Sequence, residues 1–111
     1  MKQIEINTER WKGHVILHDP LPLVMLGNFE EAVVEALNID KNLGKAKAHA
    51  KLVPSLVECV KEWKIEGFPE NVTVETFPGA GSGMSKIDIA EIINLITNKI
   101  FKLVQGKDPN E

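Results

Sequence analysis

The chain has 111 residues, and its 13 Lys and Arg against 16 Asp and Glu leave a net charge of −3. That length suits one domain, 1–111, with a core of its own. The acidic balance speaks against the basic stripe of a nucleic-acid surface, and the one cysteine excludes an intrachain disulfide. No long apolar run is free of charge, so no membrane span is expected. Met1-Lys2-Gln3-Ile4-Glu5 carries no apolar signal region, so the expectation is an intracellular protein.

Ile4 and Ile6 alternate with polar residues, as do Val15 and Leu17, with a polar loop between them. This predicts a hairpin over 1–20, which needs helices to rest on because two strands alone are marginal. Asp19-Pro20-Leu21-Pro22 ends it. Asn28 with Glu31 three residues on reads as a capping box, opening a helix over 28–39. Phe29, Ala32, Val33, Ala36 and Leu37 share its apolar arc, and Asn42-Leu43-Gly44 breaks it.

A second helical region is predicted over 45–63, with Pro54 either kinking it or starting a new helix. Its apolar stripe is Val53, Leu56, Val57, Val60 and Trp63, and Gly67 and Pro69 suit a helix exit. Ser85 is a candidate N-cap for a helix over 85–105, with Asp88 in its first turn. Gly106 ends that helix, and 106–111 is expected to fray. The fold class is mainly α, three principal helices with a short N-terminal β-hairpin, or α+β if the hairpin is counted. The expected core is Phe29, Val33, Leu37, Val53, Leu56, Val60, Trp63, Ile92, Ile96 and Ile100.

Catalytic signals are weak. Gly79, Ala80, Gly81, Ser82 and Gly83 precede a helix, the place where backbone N–H groups cradle phosphate. Met84, however, separates Gly83 from Ser85-Lys86, so neither a Walker loop nor a dinucleotide fingerprint is matched. A flexible inter-helix loop is the simpler reading. His14, His18 and Asp19 lack the further converging groups a metal needs, and His49 reads as a partly buried histidine. Cys59 has no sequence-local base and reads as a small hydrophobe. Asp88 and Glu91 suit capping and solvation. No catalytic residue, cofactor or metal is expected.

Glu62-Trp63-Lys64-Ile65-Glu66-Gly67-Phe68-Pro69, the segment ending in Phe77-Pro78 and the helical stretch 87–104 together resemble the tail assembly chaperones of long-tailed phages and prophages. A weaker likeness lies in His14-Val15-Ile16-Leu17-His18-Asp19-Pro20-Leu21. The resemblance covers about two thirds of the chain and lies in element order and a few aromatic, Gly and Pro positions. The Lys/Ala run 45–51 and the loop 79–83 depart from it.

The resemblance implies a non-enzymatic protein of the bacterial host cytoplasm. Its partners would be the tape measure protein or tail tube subunits, whose apolar surfaces it would shield before assembly. Two alternatives stand beside it: a phage structural or adaptor protein retained in the virion, and a small ligand-binding domain using the loop 79–83. Self-association is left open. Ile87, Leu95 and Phe101 lie near the polar arc of the last helix, and Leu52 sits similarly on the second. These four are the candidate protein-interface residues, with Phe101 favoured as an aromatic anchor.

Overall fold

Two alternating runs pair at the start of the chain, and a third strand joins them from far along the sequence. In the computed structural model, residues 2–79 and 82–110 are described. The element order is β1 (Lys2–Asn7), β2 (Lys12–Leu17), α1 (Leu23–Leu43), α2 (Lys45–Cys59), β3 (Val60–Ile65) and α3 (Lys86–Val104). The three strands form one antiparallel sheet in the order β1-β2-β3. One sheet face carries Ile4, Ile6, Val15 and Leu17 into the core. The three helices and this sheet make an α+β fold.

The hairpin is therefore extended, and the predicted helix over 45–63 ends early, at Cys59. The reason lies in the spacing of Val60 and Trp63. Three residues apart, both buried, they look helical. On β3 the same spacing arises from a bulge: Ile16 pairs with Glu62 and Leu17 with Val60, so Lys61 is the extra residue. The bulge puts Val60, Trp63 and Ile65 all on the core face. Gly67 does take a left-handed φ of 78°, but the turn it serves closes a strand, with Phe68 N–H donating to Ile65 O. Gly13, at the β2 start, is also required. Its φ is 136°, and a Cβ there would collide with the Lys64 carbonyl oxygen.

α1 begins at Leu23, five residues before the expected cap, with Pro22 as N-cap and no side-chain cap. Asn28 lies inside the helix, where its side chain donates to Glu58 Oε1 at 3.5 Å and its carbonyl accepts from Ser55 Oγ at 3.4 Å. These bonds tie α1 to α2 instead of opening α1. The helix also runs beyond 39, to Leu43, and breaks at Gly44. Phe29, Val33 and Ala36 are buried, but Leu37 is 65% exposed and is not core. One residue past Ala36 it has turned about 100° away from the buried arc. α2 keeps Pro54 inside a single helix.

α3 behaves as its sequence predicts. Ser85 Oγ accepts from Asp88 N–H at 3.1 Å. At the far end Gly106 N–H donates to Leu103 O and Lys107 N–H to Lys102 O, a Schellman closure with Gly106 at φ 76°. Ile92, Ile93, Ile96 and Ile100 are buried on its core face.

The tail beyond α3 is not frayed over its described residues. Asn110 accepts from Glu5 N–H at 2.8 Å and donates to Gln3 O at 3.0 Å, while Lys99 Nζ donates to Glu5 O at 2.7 Å. The Asn110 amide thus acts as a partner strand would, and the β1 edge is closed to pairing.

All the aromatic residues, two Trp and four Phe, sit in two clusters. Phe29 of α1 meets Phe101 of α3 at 5.3 Å between centroids. Trp63 stacks on Phe68 at 5.3 Å, Trp11 meets Phe68 edge-on at 5.6 Å, and Phe77 meets both Trp63 and Phe68 edge-on. Trp11 also donates Nε1–H to Asp88 O at 2.9 Å, and Arg10 covers its ring while pairing with Asp88 at 3.3 Å. The hairpin loop is thereby fastened to the start of α3.

Candidate functional site

α1 and α2 pack along one another, whereas α2 and α3 meet over a much shorter stretch. Where they part, an apolar groove of about 580 Å³ opens. Each helix lines it with its N-terminal half. α2 presents Ala46, His49, Ala50 and Val53, and α3 presents Lys86, Ile89, Ala90 and Ile93. Both sets follow the i, i+3, i+4, i+7 spacing of one helical face. Ala46, Ala50 and Ala90 are too small to fill the space between the helices.

Phe77, Pro78 and Met84 close one side of the groove, and Ile93 is buried in its floor. Val74 and Ile87, also lining residues, are 52% and 78% exposed and carry the apolar surface outward. Apolar area of this kind, rimmed by charge, marks a place where another molecule docks. The ionisable lining groups are Lys45, His49 and Lys86, with no carboxylate among them.

The four interface candidates separate. Ile87 is exposed and lies on the groove. Leu52 is buried at 6% exposure, a correction to its placing on an outer face. α1 covers the side of α2 that the sequence leaves without a partner. Leu95 and Phe101 are half-buried and pack against the core. Phe101 spends its ring on Phe29, so it is not a free anchor. The hydrophobic pattern alone does not mark the groove residues Ala46, Ala50, Ala90 and Val74. The signal for them was the Lys/Ala run, in which alanines recur four apart at 46 and 50. Such spacing permits close approach along one helix face.

The other candidates do not converge. Among the described residues no group of three or more His, Cys, Asp or Glu side chains comes together. Cys59 is buried, and desolvation, helped by the Glu58 charge, pushes its thiol up to about 11. A thiol so held stays protonated and is a poor nucleophile. Lys99, beside β1, is lowered mainly by burial. Of the glycine loop, Ala80 and Gly81 lie outside the described residues. At its edges Ser82 donates to Gly79 O at 2.6 Å, and Asp88 already places a carboxylate in the first turn of α3. An anion arriving there would meet that negative charge.

Among the described residues no helix is long and apolar enough to cross a membrane. Comparison with known protein families, characterised proteins and solved structures finds no match.

Proposed function

We propose that this chain is a non-catalytic, client-binding protein that acts as a tail assembly chaperone of a long-tailed phage or prophage. Its client would be the tape measure protein or tail tube subunits, held in the host cytoplasm until assembly. The observation that carries the reading is the apolar groove between α2 and α3, open at Ile87 and Val74. A protein that shields apolar segments needs such a surface, and an overall charge of −3 helps keep it dissolved while that surface is bare. The phage assignment itself rests on the resemblance of the segment 62–69 and the elements after it.

The test is co-expression with the tape measure and tail tube proteins of a long-tailed phage or prophage from the same genome. The expected result is co-purification with one of them, a client that precipitates without this chain, and no trace of the chain in finished particles. Retention in the particles would replace the chaperone by a structural or adaptor protein. A client that stays soluble alone and ignores this chain would remove both.

A further inference from the structure

We infer that the groove between α2 and α3 receives an amphipathic helix whose apolar face is flanked by carboxylates. The inference rests on the groove being the client site of the proposed function, and adds the chemistry of what enters it.

The first ground is shape. Ala46, Ala50 and Ala90 leave room for a third helix to lie close between two others. The lining sets on α2 and α3 each span eight residues, about 10 Å of helix, which matches two turns of a partner. Val74 and Ile87 extend the apolar surface past the cavity. A small ligand sunk in the floor would leave them bare, whereas a helix crossing the rim covers them.

The second ground is charge. In a chain of net charge −3, every ionisable group lining this groove is basic: Lys45, His49 and Lys86. Lys86 makes no ion pair with a described residue. Lys45 is 80% exposed and touches Asp40 only at 3.7 Å. The first turn of α2, which holds no acidic residue, also faces the groove, so its dipole adds to the positive potential, whereas Asp88 offsets that of α3. The groove is thus a positive apolar slot in a negative protein, and it selects an acidic amphipathic partner over a basic one.

The experiment uses two fluorescein-labelled helical peptides and the full chain. Both peptides carry Leu and Ala on one face, one with Glu at the flanking positions and its twin with Lys. Fluorescence anisotropy at low salt should show the Glu peptide binding about fivefold tighter, the scale of two exposed ion pairs. Added salt should shrink the difference. Lys45→Glu with Lys86→Glu should reverse the order of the two peptides. Both lysines are exposed, so the circular dichroism spectrum should not change. Ala50→Trp, which fills the groove, should abolish both affinities.

Equal affinities, or none, overturn the inference, and the salt titration of the unaltered protein decides this without any variant. Binding of dodecanoate in place of either peptide would assign the groove to a small amphiphile and overturn it. Self-association lost in Ala50→Trp, with neither peptide bound, would assign it to a second copy of this chain and overturn it. The peptides require no tail protein, so the two readings fail separately. A bound Glu peptide with no capture of the tape measure protein leaves the groove chemistry standing and removes the chaperone. Undiminished capture by Ala50→Trp does the reverse.

Discussion

The aromatic end of this molecule and its groove are built from adjoining residues, yet they are packed on opposite terms. At the aromatic end Trp11, Trp63, Phe68 and Phe77 interlock, and Arg10 and Asp88 fasten the hairpin loop over them. In the groove, alanines stand where large side chains would have closed the gap. Phe77 belongs to both, with one face in the cluster and one in the groove wall. Phe77 is thus shared between a filled region and an unfilled one. Packed aromatic side chains fill one region, and the next is an apolar space that no side chain fills.

The largest expected effect lies at the closed end. Trp63→Ala removes a ring that is 4% exposed and contacts two others, and should cost about 3–5 kcal/mol in urea unfolding. A loss under about 0.5 kcal/mol, the level of an ordinary surface change, would break the contrast between the two regions. Phe101→Asp comes next. It places a charge against Phe29 and should cost about 2 kcal/mol or more in the same assay. The sequence alone suggests a fold left largely intact and a lost interface, so an undiminished denaturation midpoint would restore that view.

Groove substitutions should do the opposite. Ala50→Leu lies on the exposed side of α2 and should shift stability by no more than about 0.5 kcal/mol. It should nevertheless reduce client capture in a pull-down. A large loss of stability would mean that the groove is part of the core. The smallest effect concerns Cys59. Burial raises its thiol from an ordinary 9.0 to about 11, so the folded chain holds the proton more tightly than the unfolded chain. Its contribution to stability is complete below pH 9.0 and is lost as the pH rises towards 11. A Cys59→Ser protein should show less of this alkaline loss. A thiol reagent at pH 8 should label Cys59 of the original chain only after denaturant is added, and rapid labelling of the native protein would show that the core around the α2–β3 junction opens.

Much of the fold was legible because it depends on local rules. The alternation at Ile4, Ile6, Val15 and Leu17, the Ser85 cap and the Gly106 closure each depend on neighbours a few residues away. The string 62–69 reads as a helix exit, and in the structure it is the end of β3 and a turn into the aromatic cluster. Its Trp and Phe positions were informative even though the element was misread, because large aromatics are buried in either setting. The interface candidates fared worse. A helical wheel tells which residues share a face, but not which neighbour covers that face, so Leu52 and Phe101 looked free.

Thus the sequence by itself determined the N-terminal hairpin, the existence of the helices and both ends of α3, since hydrophobic period and capping chemistry act over one or two turns. Only the tertiary structure decided that Val60, Trp63 and Ile65 form a third strand. Their helix-like spacing is resolved by a bulge that exists only when β2 lies alongside. It also decided where the groove lies. Ala46, Ala50 and Ala90 are unremarkable singly, and line an apolar groove only because α2 and α3, far apart in sequence, part at their N-terminal halves.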